Sequence, residues 1–265
     1  MGLLRSGRLH RYNTAGGEES DVALLEKEFA DYLGLAYCAA VSSCGSAMYI
    51  ALKCAGVKAG DKVLSNAFTL APAPGAIYHA GAQPVLVEST EHYTINVEDL
   101  NRKAQDSGAA FLLLSHMRGH MADMDLICQV CDRHGISFIE DCAHTMGARW
   151  GSGHSGTFGK IGCFSSQTYK HINSGEGGLL VTNDDEVIAQ AILYSGSYML
   201  FDGHISRPPG ILPVRVPERH RCRAVAIFYA RTANLNASRY AGETKSLHMH
   251  ALNDAGEVRS VLRIG

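Results

Sequence analysis

Three groups of residues in this chain have types and spacings that could do chemistry. Lys170 ends the run Ser165-Ser166-Gln167-Thr168-Tyr169-Lys170 and precedes the small-residue stretch Asn173-Ser174-Gly175-Glu176-Gly177-Gly178. A lysine amine so placed can attack a carbonyl or carry a proton. Asp141 lies in Ile139-Glu140-Asp141-Cys142-Ala143-His144, where a short apolar run gives way to carboxylates able to pair with a cation. Ser42-Ser43-Cys44-Gly45-Ser46 separates the apolar run Ala39-Val41 from a helical run through Leu52. The free N–H groups of such a helix start suit a phosphate. Singly, each group has an ordinary reading: a lysine in a loop is usually a solvated charge, and an aspartate at a strand end is usually a turn or cap residue.

The elements around these residues follow from hydrophobic spacing. Val22, Leu24, Leu25, Phe29 and Leu33 recur near helical spacing between Ser20 and Leu33, and Gly34 supplies the stop, which predicts an amphipathic helix. Beyond it, seven candidate strands alternate with helix-like segments: Ala39-Val41, Lys62-Ser65, Pro84-Val87, Phe111-Leu114, Ser137-Ile139, Ile161-Phe164 and Leu179-Thr182. Most are continuously apolar, as strands covered on both faces are, and the crossovers predict an α/β fold with a mainly parallel sheet. Ligands bind such sheets at the carboxyl ends of strands, where all three chemical groups fall. A length of 265 residues with 46% hydrophobic and 19% charged residues is ample for such a core.

Together the three groups meet one set of chemical needs. Pyridoxal phosphate (PLP) requires a lysine amine to form an imine, a carboxylate to keep its pyridine nitrogen protonated, and donors for its phosphate. Over residues 3–203 the chain resembles the DegT/DnrJ/StrS family of fold-type-I PLP enzymes, chiefly sugar aminotransferases. The resemblance rests on Leu4-Arg5-Ser6-Gly7, Ser43-Cys44-Gly45-Ser46-Ala47, Gly60-Asp61-Lys62-Val63, Gly81-Ala82-Gln83-Pro84-Val85, Ala122-Asp123-Met124-Asp125, the Ile139–His144 segment, and Lys170 with Gly175-Glu176-Gly177-Gly178.

The resemblance implies roles by position. Lys170 falls on the Schiff-base lysine that also shuttles the proton, and Asp141 falls on the pyridinium partner. Ser165, Gly45 and Ser46 fall on phosphate-binding positions. His144 stands where the family usually has Gln beside the phenolic oxygen of the cofactor, and Leu70 where an aromatic ring often stacks on the pyridine. The implied reaction moves an amino group from glutamate or glutamine to a keto sugar, nucleotide-linked, in a homodimer. Two other readings stay open: a catalytically inactive or regulatory member, and a PLP-dependent sugar dehydratase. Dehydratase relatives carry His in place of the Schiff-base lysine, so Lys170 argues against the latter.

The expected organisation is a PLP-binding large domain at 1–203 and a divergent basic tail at 204–265, with the small C-terminal domain of the family missing or altered. The formal net charge of −2 hides this difference: the tail holds ten Lys/Arg against four Asp/Glu, leaving 14 against 22 in the rest. Its arginines are scattered, including Arg219-His220-Arg221-Cys222-Arg223, and no nucleic-acid partner is expected. Ala224-Ala230 could form one short apolar element.

No run approaches the roughly 18 apolar residues of a membrane span, and no secretory leader is visible, so the expected location is the cytoplasm. The myristoylation-like start Met1-Gly2-Leu3-Leu4-Arg5-Ser6 is too short a pattern to weigh. The eight cysteines read as reduced thiols, and Cys128-x-x-Cys131 as helix residues rather than half of a zinc site, so no metal is expected. Gly151-Ser152-Gly153-His154-Ser155-Gly156 has dinucleotide-fingerprint spacing, yet a loop carrying Arg149 and Trp150 precedes it and a strand follows where a helix should open. Gly159-Lys160 lacks the upstream glycine of a P-loop because position 154 is His. His116, at a strand end, matches a family position near the active site, and a packed structural role stays open.

Overall fold

The computed structural model describes residues 5, 7, 11, 18–196, 204–208, 247–252 and 258–264. The chain divides into two compact units, Met1–Ile211 and Leu212–Gly265.

The first unit opens with helix α1, Asp21–Leu33. The Ser20 hydroxyl accepts the Ala23 N–H at its start, and Gly34 ends it at φ 71°, a left-handed turn that glycine enters without steric cost. The chain continues through β1 (Tyr37–Val41), α2 (Cys44–Cys54), β2 (Lys62–Asn66), α3 (Pro72–His79), β3 (Gln83–Val87), α4 (Val97–Ser107) and β4 (Phe111–Ser115). After a 3-10 turn at Met117–Gly119 come α5 (Met124–His134), β5 (Ser137–Asp141), β6 (Arg149–Trp150), β7 (Gly153–His154), β8 (Ile161–Ser165), β9 (Gly178–Thr182) and α6 (Asp185–Tyr194).

All seven expected strands form one sheet, in the order β1-β9-β8-β5-β4-β2-β3. From β3 to β8 neighbours run parallel, and β9 is antiparallel to both β8 and β1. Every strand exceeds its expected bounds by one or two residues because polar or glycine ends still pair: Asn66 lies opposite Val87, Ser115 opposite Asp141, and Ser165 opposite Gly178. Alternation sorts the side chains. Leu113, Ile139, Ile161 and Leu180 pack with Met48 and Leu52 of α2, whereas Leu64, Leu112, Leu114 and Phe138 pack with Met124 and Ile127 of α5 on the opposite face.

The loop expected around Arg149 and Trp150 is corrected: these residues form β6, paired antiparallel with Gly153 and His154 of β7. Gly151, at φ 57°, allows the tight turn between them, and a two-residue strand has no periodicity to betray it. The dinucleotide spacing still opens no helix, since β8 follows. Cys128 and Cys131 both sit in α5.

Glu140 fastens β5 to this region. Its buried carboxylate accepts N–H bonds from Gly156 (2.9 Å), Phe158 (2.8 Å) and Gly159 (2.7 Å), and lies 3.0 Å from Nε2 of buried His116. A second buried carboxylate, Glu26 of α1, takes the Ala40 N–H of β1 at 2.7 Å and the guanidinium fork of Arg11. His204 Nδ1 lies 3.3 Å from Glu26 Oε2, and the Ser206 hydroxyl accepts the Cys38 N–H at 2.9 Å, so these two residues of the sequence-defined tail pack within the first unit. The second unit contains β10 (Leu247–Leu252) and β11 (Val258–Ile264), an antiparallel pair with a register shift between Ala251 and Leu252. The expected element at Ala224-Ala230, the Arg219–Arg223 cluster, and Leu4 and Ser6 of the first landmark lie outside the described residues.

Gly178 lets β9 lie against the start of α2: a Cβ there would meet the Ser43 carbonyl carbon and oxygen at 2.4 Å. Gly178→Ala is therefore expected to lower stability by about 1–3 kcal/mol, since backbone cannot yield as a flexible side chain does. Urea unfolding measures it, and an unchanged midpoint contradicts this close approach.

Candidate active site

The carboxyl ends of β4, β5 and β8 and the start of α2 surround a cavity of about 280 Å³. This is near the small end of the ~300–1,000 Å³ usual for ligand pockets. Gly45, Leu70, Asp141, His144, Ser165 and Lys170 line it. Six of the seven residues singled out by sequence thus meet in one place. Ser46 does not line it and instead lines a neighbouring cavity of about 550 Å³.

Each residue is held by its element. Ser43 caps α2 with extended backbone (φ −165°, ψ 162°), and its hydroxyl accepts the Ser46 N–H at 3.0 Å. The first-turn N–H groups, which have no acceptor inside the helix, begin where Ser43, Cys44 and Gly45 line the cavity. Asp141, 8% exposed, ends β5. Its Oδ1 accepts the Ala143 N–H at 3.1 Å with the Cys44 thiol 3.8 Å away, and its Oδ2 accepts the Ser115 hydroxyl at 2.7 Å. Burial, followed by the charge of Asp141, raises the Cys44 thiol well above its ordinary range, so Cys44 stays protonated as a weak donor.

Ser165 ends β8, buried, and its hydroxyl accepts the Gln167 N–H at 3.3 Å. From there the loop closes on itself: Ser166 N–H reaches the Gly177 carbonyl at 3.0 Å, Thr168 N–H reaches Gly175 at 2.9 Å, and Lys170 N–H turns back to Gln167 at 2.8 Å. Lys170 is half-buried near the tip. Leu70, 49% exposed, is an aliphatic wall, and among the described residues no Phe, Tyr or Trp lines the cavity; Phe68 and Tyr93 meet each other in a tilted contact, with ring centroids 5.1 Å apart.

Sequence reasoning did not single out Cys44, Gln167 or Glu176, which also line the cavity, although all three stand inside the motifs that carry Gly45 and Lys170. Glu176 borders the larger cavity as well. His116 is absent from the lining and is 1% exposed against Glu140. His116, Glu140 and Cys142 offer donor atoms within 4.8 Å of one another. Yet the three N–H bonds and His116 take up the about four acceptor positions of the Glu140 carboxylate, so the cluster reads as packing rather than a metal centre.

His144 is held below the usual imidazole range by burial first and then by Lys170, with Arg118 and His171 acting the same way and Asp141 opposing. It is therefore neutral at pH 7. Below its ordinary value of ~6.5 the unfolded chain takes a proton that folded His144 refuses, so this residue's effect is nil above that pH and destabilising as pH falls through it. Replacement by Gln is expected to flatten the decline in stability between about pH 7 and 5. An NMR titration placing His144 at or above the ordinary range contradicts this electrostatic picture.

Comparison with known proteins identifies the family. A sequence model of the DegT/DnrJ/EryC1/StrS aminotransferase family matches residues 10–199. The chain is 34% identical over 168 residues to GDP-perosamine synthase of Vibrio cholerae, covering 63% of this chain and 46% of that protein. It is 34% identical over 182 residues to L-glutamine:2-deoxy-scyllo-inosose aminotransferase of Streptomyces kanamyceticus, covering 69% and 43%. The solved structure of 3-amino-5-hydroxybenzoic acid synthase superimposes with a TM-score of 0.62 at 33% identity, covering 65% and 45%. The chain spans about half the length of the curated relatives it matches. With most of the chain matched and its strand-end residues gathered in one cavity, the protein belongs to the DegT/DnrJ/EryC1/StrS aminotransferase family.

Proposed function

We propose that this protein acts as a PLP-dependent aminotransferase, moving an amino group from glutamate or glutamine to a nucleotide-linked keto sugar. The observation that carries the reading is the meeting of Lys170, Asp141 and the start of α2 around one cavity. These groups fit the cofactor: an amine, a buried carboxylate fixed by three donors, and a helix terminus backed by the Ser165 hydroxyl.

When bound, PLP supplies a carbonyl that joins amines and a cationic ring that stores the electrons left when a proton departs from the neighbouring carbon. Asp141 would hold the proton at the ring nitrogen. The Cys44 and Gly45 N–H groups at the start of α2 and the Ser165 hydroxyl would bind the phosphate, with the positive end of the helix dipole favouring its charge. Lys170 is the amine that would hold the cofactor and, when free, would serve as the base and acid that moves the proton at the donor carbon. Neutral His144 could donate a hydrogen bond to the phenolic oxygen, and Leu70 would cover the ring by apolar contact alone.

The donor and acceptor classes rest on the relatives, whose names include a GDP-sugar synthase and a glutamine-dependent aminotransferase. A second copy of the chain is the proposed partner and the cytoplasm the proposed location. Lys170, in place of the histidine of dehydratase relatives, favours amino transfer over dehydration. Added PLP is expected to give an absorption band at the visible edge, absent in Lys170→Ala, and that variant is expected to lose transfer from glutamate or glutamine by at least ~10²–10⁴-fold. A wild-type protein without the band contradicts the proposal, and a band without transfer favours an inactive or regulatory member.

A further inference from the structure

We infer that Ser115 is the positioning residue that aims the Asp141 carboxylate, and that Thr69 sets Ser115 from behind. The inference rests on the proposed PLP chemistry and extends it to residues outside the cofactor-contacting set.

Ser115 and Asp141 are direct cross-strand partners at the carboxyl ends of β4 and β5. The alternation that puts Leu113 and Ile139 on the α2 face puts Ser115 and Asp141 there too. Ser115 is 5% exposed, and β4 before it is wholly apolar, Phe111-Leu112-Leu113-Leu114, so a hydroxyl here needs a reason. Its backbone is clamped on both sides by one side chain: Ser115 N–H donates to Asn66 Oδ1 at 2.9 Å, and Asn66 Nδ2 donates to the Ser115 carbonyl at 3.0 Å. Parallel strands do not pair N–H and carbonyl of one residue with one partner residue, so this amide fixes Ser115 more tightly than the ladder would.

The hydroxyl protons then have one possible direction. An ionised carboxylate only accepts, so Ser115 donates to Asp141 Oδ2 at 2.7 Å, and Thr69, 2.9 Å behind, donates to Ser115. Thr69 adjoins Leu70, the apolar wall over the ring position, so one short loop both covers the cavity and orders the hydrogen bonds beneath it. With Oδ1 held by Ala143 N–H and Cys44, rotation of the carboxylate would break contacts at both oxygens. A carboxylate that must keep a ring nitrogen protonated gains from being so fixed, because a bond aimed in advance costs no reordering when the ring arrives.

The test compares wild type, Ser115→Ala, Ser115→Thr and Thr69→Val as full chains titrated with PLP, recording the visible-edge band, its dependence on pH and the unfolding temperature without cofactor. Ser115→Ala is expected to bind PLP about tenfold more weakly, the scale of one hydrogen bond to a charged group. Its band is also expected to persist to higher pH, because a ring nitrogen less firmly protonated withdraws less charge from the Lys170 linkage. His144, Cys44 and Glu176 line the cavity with Lys170 in every variant, and Arg118 and His171 act on His144 in each, so their influence cancels in the comparison. Ser115→Thr restores both properties, and Thr69→Val moves both in the same direction as Ser115→Ala by a smaller amount.

Wild-type affinity and pH dependence in Ser115→Ala overturn the inference while leaving the proposed function intact. A failure of wild type itself to bind PLP overturns both. If Ser115→Ala does not fold, Thr69→Val decides: weaker binding with the band persisting to higher pH supports the inference, and wild-type behaviour overturns it.

Discussion

The site depends on one buried carboxylate that takes no part in its chemistry. Glu140 sits beside Asp141 in β5, and alternation sends the two side chains to opposite faces of the sheet. Three backbone N–H groups from residues 156–159 and the His116 ring converge on Glu140, tying the turn before β8 to the end of β5. Removing that carboxylate would strand several buried donors at once, which is among the costlier defects a core can carry. Anchoring Glu140 on one face fixes the end of β5, so alternation leaves Asp141 on the cavity side, where Ser115, Ala143 and Cys44 hold its carboxylate.

The same logic extends along the edge of the sheet. Lys170, Asp141 and Gly45 are far apart in the chain, and none could find the others without parallel strands that bring their carboxyl ends to one rim. The rim is made polar one strand at a time, by Asn66, Ser115, Asp141 and Ser165, each paired as the final rung of its strand. These residues satisfy the ladder and face the cavity or brace those that do. Close backbone approach at Gly178 brings β9 against Ser43, which sets where the first turn of α2 begins. The start of α2 and the lysine loop therefore rest on the same two strands, β8 and β9.

Much of this was legible in the sequence, for identifiable reasons. Apolar runs, most of them continuous, marked all seven strands, and reading the positions just beyond them led to Asp141, Ser165 and Lys170. What escaped has a physical explanation in each case. Ser46 lies next to Gly45, but successive helix residues point about 100° apart, so adjacent positions at one helix start face different cavities. The Glu140 network joins residues across a turn and leaves no periodic trace. Strand β6 is too short for alternation to register, and His116, at an equally suggestive strand end, is buried against Glu140 instead of facing the cavity.

On the proposed function, the fold selects Lys170, among the lysines of the chain, to hold the cofactor. Incubation with PLP, reduction with borohydride and peptide mapping by mass spectrometry test that claim directly. A phosphopyridoxyl group is expected on the peptide carrying Lys170, in stoichiometric yield and without comparable labelling elsewhere. Labelling spread over several lysines, or centred on another one, would contradict it.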